Sequence, residues 1–284
     1  MTDMTGFPDH LISAVLDAAF AEDLGLAGDI TTNAIIPADC ASRAVIAARA
    51  PGRIAGLPIA EAAFRRLDPA LEFNIAIRDG ADAGAGAAVA VLSGNSRAIL
   101  TAERVALNFL GHLSGIATHT RAFAQAIEGA NARICCTRKT TPGLRGLEKY
   151  AVRMGGGVNH RFGLFDAVLI KDNHIAAAGG IGPAIELARR GAGHLVKIEV
   201  EVDRLEQLEE ALRHRIDAAL LDNMSLDALR EAVAMAGGRI VLEASGGVTL
   251  DSVRAIAKTG VDLISSGALT HSSHALDLGL DFVS

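Results

Sequence analysis

Cations in this chain gather where short apolar runs end, and that placement suggests a pocket for a polyanion. Arg138 and Lys139 follow the β-like run Ile134-Cys135-Cys136-Thr137, and Lys171 closes the run Ala167-Val168-Leu169-Ile170. His160 and Arg161 stand just beyond the bend Gly155-Gly156-Gly157. A cation at the end of a buried strand is costly unless something anionic meets it. Phosphates or carboxylates would do so, with ion pairing to nearby acids as the plainer alternative. The stretch 137–174 holds seven Lys or Arg against three acids, a net +4, in a chain whose formal charge is −6. Part of that charge has an ordinary place. Leu144, Leu147, Ala151 and Met154 recur at helical spacing after Pro142-Gly143, which puts Arg145, Glu148, Lys149 and Arg153 largely on a solvated outer face.

Carboxylates and Ser/Gly turns end the later apolar runs, at Glu201, at Asp222, at Ser245-Gly246-Gly247 and at Ser265-Ser266-Gly267. Turns of that kind expose backbone N–H groups toward a following helix and suit a terminal phosphate. Glu201 and Asp222 beside a basic phosphate pocket are what Mg²⁺ needs, because that ion takes one or two carboxylates and leaves room for water and phosphate oxygens. Taken singly, each acid could be an ion-pair partner and each turn an ordinary turn; the ordered set is harder to explain so. No Gly-Lys-Ser/Thr follows the glycine bend and no G-x-S-x-G elbow is present, which excludes a P-loop and that hydrolase signature.

The elements that must position these residues alternate from Ala132 onward. Strand-like runs begin near Val196, Ala218, Ile240 and Asp262, each 22 residues after the last, with amphipathic helices between them. That pattern predicts parallel βα units, in a compact barrel or in an open doubly wound sheet. In a barrel the active face lies at the C-terminal strand ends, where the residues above fall. Before Ala132 the pattern differs. Leu11, Val15, Ala18 and Ala19 predict a helix after Pro8 that ends near Gly25, and Gly28–Thr32 reads as a turn into an extended segment. Strands are expected at 44–47, 71–77 and 88–92, with a helix over 59–67. The run 96–128 reads as two helices broken near Ser114-Gly115, and that break is the expected domain boundary.

Composition bounds the rest. A chain of 284 residues, 50% hydrophobic and with mean hydropathy +0.31, can bury one large core and a smaller companion. No run approaches the roughly 18 apolar residues of a membrane span, and the start, MTDMTGFPDHL, lacks the order of a signal peptide, so a cytoplasmic protein is expected. Three cysteines, two adjacent in an apolar run, suggest neither disulfides nor a metal knuckle. The acidic balance and only ten aromatic residues argue against nucleic acid as a partner.

With those residues in place the sequence closely resembles the quinolinate phosphoribosyltransferase family. The resemblance rests on TRKTTPGLRGLEKYAVRMGGGVNHR (137–161), LIKDNH (169–174), EVEVD (199–203), LLDNM (220–224), EASGGV (243–248), ISSGAL (264–269) and TAERVALNFLGHLSGIAT (101–118). It covers about 170 residues continuously, and the first hundred match only in layout. It implies an α/β protein of two domains: an N-terminal α/β sandwich over 1–114, to which 271–284 return, and a partly open parallel α/β barrel of type II phosphoribosyltransferase form over 115–270. It further implies a homodimer with shared active sites, and a reaction joining quinolinate to phosphoribosyl pyrophosphate with Mg²⁺, without an organic cofactor. By resemblance Arg138, His160, Arg161 and the neighbouring subunit's Arg104 receive the dicarboxylate, and Thr137 lies at the same strand end. Lys139 and Lys171 face phosphates, and Glu201 and Asp222 face ribose and Mg²⁺; these four are the implied catalytic residues. Ser245, Gly246 and Gly247 take the 5′-phosphate with Ser266, Gly267 and Ala268. Two readings stay beside this one: another enzyme on the same scaffold, such as a nicotinate phosphoribosyltransferase or a molybdenum-linked relative, and a phosphate-binding module without catalysis.

Overall fold

A computed structural model describes residues 9–283, with side chains from residue 12 onward. The expected start of the first helix, with Pro8 and the residues before it, lies outside the described residues, as does the side chain of Leu11. The chain divides into two compact units. One takes the chain up to Arg121, together with Thr141–Gly156 and the end from Ser272; the other takes Ala122–Thr140 and Gly157–His271. Residues 141–156 thus count with the first unit, although the sequence reading set them in the barrel.

The first unit begins with α1 (Asp9–Leu24), α2 (Ile30–Ile35), β1 (Ala41–Ala48), β2 (Gly52–Arg53), α3 (Leu57–Leu67), β3 (Glu72–Ile75), β4 (Asp82–Ala83), β5 (Ala88–Asn95) and the 31-residue helix α4 (Ser96–Ala126). The chain continues through β6 (Arg133–Cys135), α5 (Arg145–Met154), β7 (Val168–Ile170), α6 (Asp172–Ala178), α7 (Ile181–Gly191), β8 (Ile198–Val202), α8 (Leu205–Leu212), β9 (Ala218–Asp222), α9 (Leu226–Ala236), β10 (Val241–Ser245), α10 (Leu250–Ala257), β11 (Leu263–Ser265), α11 (Ala268–His271) and β12 (Leu278–Val283). Among the described residues no helix is long and apolar enough to cross a membrane.

In the first unit four antiparallel strands form a sheet in the order β12-β1-β5-β3, so the last residues pair with β1. Ala44 and Ile46 of β1 are buried in alternation, and after the register shift at Ile46/Ala47 both Ala47 and Ala48 are buried. Three expectations are corrected here. The Gly28–Thr32 segment is not extended: the Asp29 side chain accepts the Thr32 N–H at 2.9 Å and caps α2 as it starts. Helix α4 runs unbroken through Ser114-Gly115. Those small residues serve close packing, because the buried Ser114 hydroxyl accepts the Ala55 N–H at 3.0 Å and a Cβ at Gly115 would lie 2.0 Å from the His274 carbonyl oxygen. Lastly, Glu148 and Lys149 of α5 are fully buried rather than solvated. Glu148 Oε1 meets His112 Nε2 at 2.9 Å, and Oε2 accepts the Thr141 N–H at 3.1 Å. Helical periodicity locates one apolar stripe, whereas a second neighbour covering the adjacent flank, here α4 with His112, leaves no trace in spacing.

The second unit contains a six-stranded parallel sheet in the order β6-β11-β10-β9-β8-β7. From β7 to β11 each strand lies beside its predecessor in sequence, with no reversal of direction such as a doubly wound sheet requires. Strand β6 then adds next to β11, and among the described residues β6 and β7 do not pair, which leaves the barrel partly open. The four spaced strands appear at Ile198, Ala218, Val241 and Leu263, within two residues of their expected starts.

Gly115 gives the first test. Intrinsic propensity favours alanine over glycine in a helix by about 1 kcal/mol, but the His274 backbone occupies the place of the methyl group. We expect Gly115→Ala to destabilise the protein by about 1–3 kcal/mol in denaturant unfolding, the usual cost of overpacking. A rise in stability would restore propensity as the governing effect.

Candidate active site

Parallel pairing aligns the C-terminal strand ends of the second unit around a cavity of about 780 Å³. Thr137, Arg138 and Lys139 enter it after β6, Lys171 after β7, Glu201 from β8 and Asp222 from the last position of β9. Ser245, Gly246 and Gly247 enter from β10, while Ser266, Gly267 and Ala268 follow β11. His160 and Arg161 come from the loop before β7. Every expected residue of this unit therefore lines the cavity. Arg104 does not: it sits on α4 in the first unit, 65% exposed, and 3.8 Å from Glu103. There it borders a smaller cavity of about 230 Å³ with Glu22, Asp23 and His112. Sequence reasoning passed over Asn223 and Glu243, which also line the large cavity. Asn223 follows the strand end at Asp222 and Glu243 lies two residues before that at Ser245, so position was legible while side-chain direction was not.

The electrostatics of the cavity is unbalanced toward anion binding. Burial, and next the like charge of Arg138, pull the Arg161 pKa below its ordinary value, with Glu199 and Asp166 opposing them. A guanidinium stays protonated at neutral pH despite such a shift, so two cations face a common space and an anion between them would relieve both. Arg161 Nη1 donates to the Ala167 carbonyl at 2.9 Å, which orients the fork. Its buried Nε has no hydrogen-bond partner in this structure. Lys171 Nζ pairs with Glu201 Oε2. Thr270 Oγ1 donates to the Lys139 carbonyl at 2.7 Å, which ties the cationic segment to the turn before α11.

The phosphate-type turns show the backbone that their sequences require. Gly246 and Gly247 have φ of 94° and 59°, a region costly for residues with a Cβ. Ser266 Oγ lies 3.5 Å from the Val248 carbonyl and its backbone N–H donates to Cys135 O at 3.1 Å. These bonds link the ends of β10, β11 and β6.

Two groups of side chains were weighed as metal sites. Glu201 and Asp222 fit Mg²⁺: both are half-buried carboxylates on the cavity wall, and Asp222 commits one oxygen, Oδ2, to the Asn223 amide at 2.8 Å. Ligation by Glu201 must share its carboxylate with Lys171. His160, Glu199 and Glu243 also bring potential ligand atoms within 4.8 Å of one another. That group does not fit. His160 Nδ1 accepts the Arg161 N–H at 2.7 Å, so its proton sits on Nε2 and points to Glu199 Oε2 at 3.0 Å, with Glu243 Oε2 at 3.7 Å. A ring nitrogen carrying a proton has no lone pair for a metal. The trio instead locks the tautomer and the orientation of His160.

Fold and site together define a parallel α/β barrel protein whose cavity sets paired carboxylates beside cations and glycine turns. Residues 29–114 match the family model for the N-terminal domain of quinolinate phosphoribosyl transferase, and residues 116–281 match that for its C-terminal domain. The chain belongs to the quinolinate phosphoribosyltransferase family. It is 45% identical to a probable nicotinate-nucleotide pyrophosphorylase [carboxylating] of Bacillus subtilis, over 96% of this chain and 94% of that protein. A mitochondrial quinolinate phosphoribosyltransferase [decarboxylating] of Nicotiana glauca is 42% identical over 96% of this chain and 82% of its own length. The crystal structure of NadC from Streptococcus pyogenes superposes with a TM-score of 0.94 at 40% identity, covering 99% of this chain and 100% of that one.

Proposed function

We propose that this protein joins quinolinate to phosphoribosyl pyrophosphate and releases pyrophosphate and CO₂, giving nicotinate mononucleotide in de novo NAD synthesis. The observation that carries this reading is the pair Arg138 and Arg161, mutually repelling and set in one cavity with two carboxylates and two Ser/Gly turns, in a chain of this family. A dicarboxylate meets two guanidiniums far better than a monocarboxylate does, because each fork needs its own planar anion.

Arg138 and Arg161 receive the two carboxylates and hold the pyridine nitrogen toward C1′ of the sugar. His160 stands with them; contact through a ring nitrogen requires exchange of its bond to the Arg161 amide or to Glu199. Ser245–Gly247 and Ser266–Ala268 grip the 5′-phosphate through N–H and hydroxyl groups. Lys139 and Lys171 face the pyrophosphate, and phosphate oxygens compete with Glu201 for the Lys171 ammonium. Glu201 and Asp222 face the ribose and would hold Mg²⁺, which supplies positive charge to the departing pyrophosphate.

As the C1′–O bond breaks, its electron pair leaves with pyrophosphate and C1′ becomes oxocarbenium-like. Carboxylates beside the sugar stabilise that charge, and cations stabilise the leaving group. The nitrogen lone pair then forms the C1′–N bond. As CO₂ departs, the electron pair of the C2–carboxylate bond stays on C2, stabilised by the adjacent pyridinium nitrogen, and takes up a proton from solvent. This step needs orientation rather than a dedicated acid or base. Labelled CO₂ should be released from carboxyl-labelled quinolinate only with phosphoribosyl pyrophosphate and Mg²⁺ present. Equal turnover of nicotinate would favour a different enzyme on this scaffold.

The guanidinium fork yields a direct prediction. Arg161→Lys keeps the charge and loses bidentate geometry, so kcat/KM for quinolinate should fall about 10- to 150-fold, the equivalent of roughly 1.5–3 kcal/mol. Unchanged efficiency would remove Arg161 from the substrate site.

The reading includes a homodimer in which Arg104 completes the neighbouring subunit's cavity. Its exposure and its long contact with Glu103 support an arginine kept for another molecule. Mixing decides the point. Arg104→Ala and Arg161→Ala proteins should each be nearly inactive, yet random re-pairing of equal amounts should restore roughly a quarter of all sites if Arg104 acts in trans. No recovery despite verified subunit exchange would place Arg104 in its own subunit's chemistry or outside it.

A further inference from the structure

Asn223 follows the last residue of β9 with φ of 54°, and among the described residues it is the one non-glycine with positive φ. Asparagine tolerates that left-handed conformation better than most residues, yet it remains less favourable than an ordinary turn, so a compensating role is expected. Three contacts supply one. The Asn223 N–H donates to the Ser245 carbonyl at 2.9 Å, continuing the parallel ladder one step beyond the Asp222–Ser245 register. Its Nδ2 donates to Asp222 Oδ2 at 2.8 Å. Its carbonyl fills the space above Gly246, where a Cβ would lie 2.1 Å from Asn223 Oδ1.

The sense of the amide follows from the acid it meets. Carboxylate oxygens accept, so the NH₂ faces Asp222 and the carbonyl faces Gly246. The left-handed turn is what folds the side chain back onto its own strand end. An extended residue there would carry the amide onward along the chain.

We propose that Asn223 is a positioning residue for the phosphoribosyl substrate: its amide holds the Asp222 carboxylate in one orientation and braces it against the Ser245–Gly247 turn. One oxygen of Asp222 is thereby committed, and the other is presented to the sugar side of the cavity. The ladder sets the ribose-facing acid beside the phosphate-gripping turn, and the Asn223 side chain fixes how the carboxylate is turned there. This inference rests on the proposed phosphoribosyl site and adds a residue to it.

Two variants separate backbone from side chain. Asn223→Gly keeps the left-handed turn and deletes the amide, while Asn223→Asp keeps size and turn but sets a carboxylate against Asp222. For both, KM for phosphoribosyl pyrophosphate should rise roughly tenfold or more, the scale of one hydrogen bond to a charged group. Calorimetric titration with phosphoribosyl pyrophosphate and Mg²⁺ should weaken to match. KM for quinolinate and the thermal midpoint should stay near wild type. Wild-type phosphoribosyl pyrophosphate constants in Asn223→Gly would overturn the proposal, leaving Asn223 as a turn former. A lowered midpoint with both substrates' constants damaged together would also overturn it, by assigning Asn223 to the fold. Asp222→Asn serves as the control. If it too behaves as wild type, the phosphoribosyl site itself has been misassigned; if it is impaired while Asn223→Gly is not, only the positioning role fails.

Discussion

Parallel pairing in the second unit is the constraint on which the site depends. Each strand runs in the same direction, so the ends carrying Lys171, Glu201, Asp222, Ser245 and Ser266 open on one face. The ladder also fixes register. Asp222 lies opposite Ser245 and Ala244 opposite Ile264, which sets acid, turn and turn side by side. A sheet with alternating strand directions would send neighbouring ends to opposite faces and scatter the same residues.

Convergence of this kind carries an electrostatic cost. Burial first, and then the like charge of Arg138, pull the Arg161 pKa down. Such a pair is poor for stability, since it leaves both a repulsion and unmet hydrogen-bonding capacity that an anion would relieve. The half-buried His160 and Glu199, with the buried Glu243, show a different arrangement. The His160 bonds to Glu199 and to the Arg161 N–H fix the ring in the loop that carries Arg161. Support of this kind is how a barrel can keep two cations close together.

The first unit illustrates a different use of polar residues. Glu148 is fully buried, with its two oxygens taken by His112 and the Thr141 backbone. Asp79 likewise accepts the Gly56 and Leu57 N–H groups at the start of α3 and the Tyr150 hydroxyl at 2.6 Å. Burial pushes the Asp79 carboxyl pKa up despite those bonds. These acids order local structure within the first unit.

Much of this was legible in the amino-acid sequence because it depends on period and on residue type. The even spacing of Ala218, Ile240 and Asp262 announced repeated βα units, and cations, carboxylates and Ser/Gly turns at run ends marked the cavity wall. Local reading also erred where a residue type has two uses. Ser114-Gly115 resembled a helix break and is instead a close packing contact, while Glu148 and Lys149 resembled a solvated face and are buried. Barrel or doubly wound sheet was decided only by strand order, which involves neighbours far apart in sequence. The contacts of Asn223 with Ser245 and Gly246 are likewise tertiary, since they exist only because β9 and β10 end together. Sequence records which groups are available and at what period; three-dimensional pairing alone determines which of them face one another, because those contacts join residues whose separation along the chain carries no local signal.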